Sequence, residues 1–475
     1  MENLDYDKLG FRCGLEIHQQ LDTNKLFCNC PSIVRDENPD ILIKRRLRAV
    51  AGETGKIDIA AKYELEKNKE FIYEACSTST CLVELDEEPP HPINQEALDI
   101  TLQIALLLKA KIVDEVQMMR KTVIDGSNVS GFQRTALVAT DGYIETSLGK
   151  VRIPIICLEE EAAKKISETK DSVTYRLDRL GIPLVEIGTE ADIKNPEHAK
   201  ETASLLGMIL RSTGKVKRGL GTIRQDVNIS IREGARTEIK GFQELKSIPK
   251  VIEYEVERQL KLIKENKKIN EEVRKAEPSL TTSFLRPMPG SARLYPETDI
   301  PPAKITKERL AKIKLPKLII EKETEFEKKY NLSKELAKEL INDELFKEFV
   351  EKYKNIEPKL IAQIMISVPK DIKTRLRLDI SKIIEEHFAV IFENLNNNKI
   401  NKEAAAELLV DVCKGKKIDI SKFEGVSEDK LEKEIKEIVN TKPGLSIGAY
   451  MGLIMAKYRG KVEGRKIIEI LKKLV

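Results

Sequence analysis

Up to about residue 302 the chain consists of short apolar runs broken by glycine, proline and polar turns. Beyond it come long Lys/Glu-rich stretches with apolar residues at helical spacing. The first part predicts strands. In Asp226-Val-Asn-Ile-Ser-Ile231 polar and apolar residues alternate, so Asp226, Asn228 and Ser230 share a face and Val227, Ile229 and Ile231 take the other. Thr237-Glu-Ile-Lys240 repeats the pattern with Glu238 and Lys240. In Gly14-Leu-Glu-Ile-His18 the two-residue spacing puts Glu16 and His18 on one side. The run from Val151 to Leu158 ends on Glu159, Glu160 and Glu161, and Ile182-Pro-Leu-Val-Glu-Ile187 sets Glu186 opposite both neighbours. Asp141-Gly142 and Leu148-Gly149 are hairpin signals.

Helix starts are marked by caps. Asn94 precedes an apolar run from Ala97 to Leu108, and Asn195-Pro196 opens a second helix that Gly214 ends. Past residue 302, Ser333 caps a helix carrying Leu336, Leu340 and Ile341, and Ser427 caps one carrying Leu431, Ile435, Ile438 and Val439. The expected class is therefore α+β. A strand-rich domain on a mixed or antiparallel sheet is expected over 1–301, followed by an all-α helical domain over 302–400 and a small helical tail over 401–475.

A chain of 475 residues exceeds what one core holds. With 82 basic against 78 acidic side chains, net charge says little about partners, and placement must carry that argument. No apolar run approaches the ~18 residues a membrane span needs. The acidic, polar start is unlike a signal peptide, and seven cysteines are an odd count for a disulfide scaffold. A reducing, cytoplasmic setting is expected. There is no G-x₄-G-K-[ST] loop and no G-x-S-x-G elbow, so neither a P-loop nor an α/β-hydrolase site is written here.

What remains is a set of acids, each on a strand. Clustered carboxylates repel unless a cation sits among them, and hard oxygen donors suit Mg²⁺ with the phosphates of a nucleotide. The alternative is a solvated strand edge with ordinary surface glutamates. Cys28, Cys30, Cys76 and Cys81 offer four thiols to a structural Zn²⁺, with free thiols as the default. Near the C-terminus Lys457, Arg459, Lys461, Arg465 and Lys466 gather around Tyr458, a set suited to a phosphate backbone or to a plain solvated helix face.

The order of these motifs resembles the GatB/GatE family of tRNA-dependent amidotransferase subunits. G-L-E-I-H at 14–18, L-E-E-E-A at 158–162, R-L-G-I-P-L-V-E-I at 179–187, I-R-Q-D-V-N-I-S at 223–230, E-I-K at 238–240 and the Phe284 to Asp299 segment each match, across nearly the whole chain. Within the family the style is that of the archaeal GatE branch. Glu161 stands where the family has Asp. GatE members usually carry an extra domain, similar to one in aspartyl-tRNA synthetases, where this chain has only the segment from Glu265 to Glu272.

The resemblance implies conversion of misacylated Glu-tRNA(Gln) to Gln-tRNA(Gln) with ATP and Mg²⁺. It also implies a GatD-like glutaminase partner supplying ammonia, in a heterotetramer with two of each subunit. It implies metal binding by His18, Glu160 and Glu186, a second cation at Glu16, Asp226 and Glu238, and phosphate or substrate contacts from Lys121, Arg179 and Lys240. Lys121, Glu160, Glu186 and Arg179 then form the catalytic set, and the basic tail residues contact tRNA. Two other readings share these residues: a GatB-type subunit acting on Asp- or Glu-tRNA, and a non-catalytic tRNA-binding protein.

Overall fold

The computed structural model describes residues 4–46, 66–123, 125–242, 244–288, 294–423, 428–458 and 464–474. It divides into two compact units, residues 1–319 and 320–475.

The first unit is built on eleven strands among the described residues. They are β1 (Arg12–Gln20), β2 (Lys111–Ile112), β3 (Met118–Thr122), β4 (Phe132–Thr146), β5 (Gly149–Glu160) and β6 (Pro183–Gly188). β7 (Ile223–Ser230), β8 (Thr237–Lys240), β9 (Glu272–Ala276), β10 (Thr282–Pro287) and β11 (Leu294–Pro296) complete the set. The sheet order is β10-β9-β8-β7-β1-β6-β5-β4-β3-β11, with the short β2 on β4. Pairing is antiparallel except between β8 and β9, which a helix joins. That crossover is why the sheet is mixed rather than a pure meander.

One face of the sheet is apolar. Leu15, Ile17, Val185, Ile187, Ile156, Leu158, Val227 and Ile229 pack there against three helices. These are α1 (Gln95–Leu107), α2 (Pro196–Ser212) and α3 (Ile248–Lys264). The caps act as the sequence predicts: Asn94 Oδ1 accepts from Ala97 N at 3.0 Å and Asn195 Oδ1 from His198 N at 2.8 Å. The other face carries no helix layer from this set and stays open, which is the fact that positions the site.

The Asp141-Gly142 signal is not a hairpin. β4 runs through it, and the turn comes at Thr146 to Gly149. Asp141 takes a left-handed φ of 55° beside Pro154, which has no N–H to offer the ladder. A smaller four-stranded sheet pairs Ile41–Arg45, Glu70–Ala75, Ser172–Arg176 and Lys164–Glu168 around Tyr73 and Tyr175. These two tyrosines hold the loop after β3, with hydroxyls donating to Gly126 O at 2.8 Å and Asp125 O at 2.7 Å. Gly126 has φ 82°, and a Cβ there would lie 2.2 Å from the Phe71 ring, so no other residue fits.

The first unit extends past the expected boundary at 301. Helix α4 (Lys307–Lys312) and Leu318 pack on the sheet core, and Arg309 pairs with Asp99 of α1 at 2.7 Å. Ile319 N donates to Ser212 Oγ at 2.9 Å. The second unit is helical. Its main core takes in Phe346, Phe349, Phe392 and also Ala404, Leu408, Leu409 and Phe423. The expected break at 400/401 therefore falls inside one core, because the helix Lys402–Cys413 buries its apolar face there. A separate small core joins Leu431, Ile435, Tyr450, Ile454, Ile467 and Leu471. Ser333 caps its helix, whereas Ser427 lies outside the described residues. No helix among the described residues is long and apolar enough to cross a membrane.

Candidate active site on the open face of the sheet

Strand register decides which acids meet. His18 lies opposite Glu186 on one side and Arg224 on the other, and Glu16 lies opposite Gly188 and Asp226. Glu238 lies opposite Asn228, and Glu186 opposite Cys157. Paired positions share a face, as do residues two apart. Glu16, His18, Glu186, Glu159, Asp226, Glu238 and Lys240 consequently all rise from the open face, while their apolar neighbours enter the core.

They form two adjoining clusters. Donor atoms of Glu16, His18 and Glu186 lie within 4.8 Å of one another, and so do those of Glu16, Asp226 and Glu238. Glu16 belongs to both. In the first, His18 Nε2 and Glu186 Oε2 are 3.4 Å apart. Lys121 Nζ lies 3.9 Å from Glu186 and 3.6 Å from Glu159. In the second, Lys240 Nζ meets Asp226 Oδ2 at 2.6 Å and also contacts Glu238. Asn228 donates to Glu16 Oε1 at 3.0 Å.

The electrostatics follow from crowding. Burial raises the carboxyl of Glu16, partly offset by Lys240. Glu159 is pushed up to about 7 by burial and by the Glu186 charge. Glu186 faces the same burial, yet the His18 hydrogen bond and Lys121 outweigh it and hold its carboxyl well below the usual range. His18 is raised, since the Glu186 carboxylate beside it outweighs the desolvation that opposes charge. Glu159 and Glu186 thus form a coupled pair in which Glu159 is the partner with the higher proton affinity.

Two expected site residues point elsewhere. Glu160 follows Glu159 by one residue and so enters the opposite face. There its Oε1 accepts from Arg134 N at 2.9 Å and its Oε2 lies 3.6 Å from the Arg134 guanidinium. Arg134 Nε reaches Glu297 at 2.9 Å, and Arg120 binds both Glu297 and Asp299. Glu160 is therefore part of a buried ion network, and Glu159, held by Thr135 Oγ1 at 2.9 Å and Gln133 at 3.1 Å, takes its place beside Glu186. Arg179 also departs from the expected phosphate or substrate role. Its guanidinium donates to Ala162 O and Ala163 O, both at 2.8 Å, and lies 3.8 Å from Glu161, so it clamps the chain that leaves β5. Arg224 meets Glu161 at 2.8 Å at the same end of the cradle. Lys240 is where the sequence puts it, but it neutralises the second cluster rather than projecting beyond it.

Three of the four expected cysteines converge. Cys28, Cys30 and Cys81 share a 4.8 Å cluster with Glu84. Cys28 donates to Glu84 Oε1 at 2.9 Å, and burial with the nearby Glu84 raises both the Cys28 and Cys81 thiols, the latter to about 11. Cys76 is not a member. It begins the turn closed by Ser79 N on Cys76 O at 2.9 Å and feels Asp178 and Arg176 instead. Of the basic tail residues, Arg459 and Lys461 lie outside the described residues, and the side chains of Lys457, Arg465 and Lys466 are not described.

Sequence reasoning missed Glu159, Thr135, Gln133 and Asn228. The triple-glutamate run carried the signal for Glu159, but its parity could be set only by pairing.

The family described as the GatB/GatE catalytic domain matches residues 11–311, and the GatB domain matches 344–475. A protein of Methanocaldococcus jannaschii, named as the E-type subunit of glutamyl-tRNA(Gln) amidotransferase, is 40% identical, with 99% of each chain covered. Proteins of the same name from Archaeoglobus fulgidus and Methanosarcina barkeri are each 37% identical, with 99% and 100% of this chain and 98% and 99% of theirs covered. The first alignment spans 624 positions, 149 more than the 475 residues here, so that relative holds a stretch this chain lacks.

Proposed function

The chain belongs to the GatB/GatE family, and from that premise we propose that it is the tRNA-dependent amidotransferase subunit that converts Glu-tRNA(Gln) to Gln-tRNA(Gln). The observation that carries the reading is the convergence of Glu16, His18, Glu186, Asp226 and Glu238 on one open face. A carboxylate is a poor acylating agent. Its oxygen attacks the terminal phosphorus of ATP, the bond to ADP breaks, and the acyl phosphate so formed carries a leaving group. Ammonia then attacks the carbonyl carbon, phosphate departs with the bonding pair, and the nitrogen gives up one proton, which the departing phosphate can take.

Phosphoryl transfer of this kind needs positioning and charge neutralisation more than covalent chemistry. The oxygen-rich donor sets fit Mg²⁺, with Glu16, His18 and Glu186 suited to hold one ion and Glu16, Asp226 and Glu238 a second. Bound there, the metal supplies charge stabilisation for the transferring phosphoryl group. Lys121 stands where it can pair with phosphate oxygens. Burial and the Glu186 charge raise Glu159 to about 7, so a cation bound beside it would favour its ionised form. Lys240 limits repulsion in the second cluster before and after loading. A structural Zn²⁺ at Cys28, Cys30, Cys81 and Glu84 fits the three-thiol donor set.

Ammonia comes from a GatD-like glutaminase partner in an assembly with two of each subunit, the tRNA is held in part by the basic tail, and the setting is cytoplasmic. The test is incubation of the chain with ATP, Mg²⁺, Glu-tRNA(Gln) and either the glutaminase or ammonium chloride. Gln-tRNA(Gln) is the expected product. tRNA binding with no ATP turnover is the result that would favour a non-catalytic binding protein, and turnover on Asp-tRNA(Asn) a GatB-type activity.

A further inference from the structure

The stretch Tyr295-Pro-Glu-Thr-Asp299 ends the Phe284 to Asp299 segment, and it stands apart from the cation clusters. It carries Glu297, which is 2% exposed. The strand before it, β11, lies at the end of the sheet order and pairs with β3 over three positions. Leu294 lies opposite Lys121, Tyr295 opposite Arg120 and Pro296 opposite Met119. Glu297 N prolongs the pairing by donating to Met118 O at 3.0 Å.

Arg120 and Lys121 are successive on β3, so they leave by opposite faces. Lys121 lies opposite Gln133 and Arg120 opposite Arg134. Lys121, Gln133 and Thr135 thus share the open face with Glu159, while Arg120, Phe132 and Arg134 share the other. On that second face Glu297 offers one carboxylate oxygen to Arg120 and the other to Arg134 Nε, the latter at 2.9 Å. Both guanidinium groups lie over the Phe132 ring, 4.6 and 5.1 Å from its centroid. Asp299 N donates to Glu297 Oε1 at 2.9 Å. Burial opposes a charge on Glu297, yet the Arg120 bond, the Asp299 N–H and Arg134 outweigh it and lower the carboxyl below its ordinary value. The fixture is a buried carboxylate with each oxygen held by a charge-assisted bond.

Lys121 has the opposite character. Its side chain is long and 34% exposed, and its amine stands 3.6 Å from Glu159 and 3.9 Å from Glu186. Where that amine can reach is set by the backbone of β3, a five-residue strand backed on its outer side by the three residues of β11. We propose that Glu297 is a positioning residue of the active site: by clamping Arg120 to Arg134 on one face of the sheet, it fixes the stretch of β3 from which Lys121 reaches the other. The inference rests on the amidotransferase reading above, in which Lys121 pairs with phosphate oxygens. Phosphoryl transfer depends on positioning, and a misplacement of about 1 Å can cost about 100-fold in rate. Glu297 touches no substrate in this role and acts through the lysine alone.

The test uses the full chain with ammonium chloride as nitrogen donor. The variants are Glu297→Gln, Lys121→Ala and the two combined, with Glu255→Gln for comparison. Glu255 is equally buried, and its ion pairs with Arg258 and Arg274 join α3 to β9, away from Lys121. Melting curves set a temperature at which every variant is folded, and kcat and KM are measured there. Glu297→Gln is expected to lower kcat about 10- to 100-fold while KM for Glu-tRNA(Gln) stays within about twofold. Glu255→Gln should lower the melting temperature and leave kcat in place. In the Lys121→Ala background Glu297→Gln should change kcat by less than about twofold, because the amine it positions is gone. Should Glu297→Gln not fold, Arg120→Lys carries the same cycle, since it keeps a cation beside Glu297 but loses the planar group over Phe132. An undiminished kcat in Glu297→Gln, an equal loss in Glu255→Gln, or a full loss repeated without Lys121 would overturn the role. Failure of the unsubstituted chain to make Gln-tRNA(Gln) would instead remove the amidotransferase reading itself.

Discussion

His18 and Glu186 face each other across the β1–β6 pair, with Nε2 and Oε2 3.4 Å apart and Glu159 and Lys121 alongside. Both residues sit on rigid strands, so the geometry does not depend on loop closure. His18→Ala or Glu186→Ala should lower ATP-dependent amidation by about 100-fold or more, while tRNA affinity in a filter-binding assay stays near that of the unsubstituted chain. Turnover at the unsubstituted rate in either variant would refute the assignment.

Glu159 and Glu160 are neighbours in sequence with opposite roles. Glu159→Gln replaces a carboxyl whose ionisation burial and the Glu186 charge oppose, so the melting temperature should hold or rise while amidation falls steeply. Glu160→Gln weakens a buried pairing with Arg134 and should cost about 1–3 kcal/mol of stability. Denaturant melts and initial rates on both variants separate the two, and the same profile for both would contradict the face assignment.

Lys240 is the internal counter-charge of the second cluster. Lys240→Met leaves Glu16, Asp226 and Glu238 to repel one another. The variant should melt lower than the unsubstituted chain in EDTA, and millimolar Mg²⁺ should raise its melting temperature by the larger amount. Equal Mg²⁺ responses in calorimetry would show that no cation enters there.

His198 gives a pH dependence away from the site. Thr146 spends its hydroxyl proton on Gly149 O, so His198 Nε2–H must donate to Thr146 Oγ1, and Lys194 N–H donates to Nδ1 at 3.1 Å. The ring is held neutral. Burial lowers its pKa below the ordinary 6.5, with Glu201 opposing and Lys194 assisting. A depressed folded-state pKa means its contribution is complete above pH 6.5 and is lost as pH falls through the lower folded value. Melting temperature should drop from pH 7.5 to pH 5, and the slope should flatten in His198→Gln.

Much of this was legible in the chain. Alternation placed Glu16 with His18, set Asp226 and Glu238 on polar faces and isolated Glu186, because a two-residue period is a local property. What was not legible depended on partners distant in sequence. The choice between Glu159 and Glu160 rests on pairing with β4, where the register shifts between Leu137 and Ala139. Cys76 and Glu84 exchanged places in the thiol cluster because a turn closed at Ser79 turns Cys76 away. The two compact units divide at 319/320 rather than at the composition change near 302, since composition changes where helices begin, not where a core ends.

Glu16 stands at the corner of both donor triads, and that has a consequence for how the site would fill. If ions bind there as proposed, one on either side would withdraw electron density and charge from the one oxygen pair the other side also uses. Loading would then be a joint process: the second ion should bind more weakly than the first, in a biphasic isotherm, unless a phosphate arrives with it to restore the balance. The active site so built would count its nucleotide and its metals together.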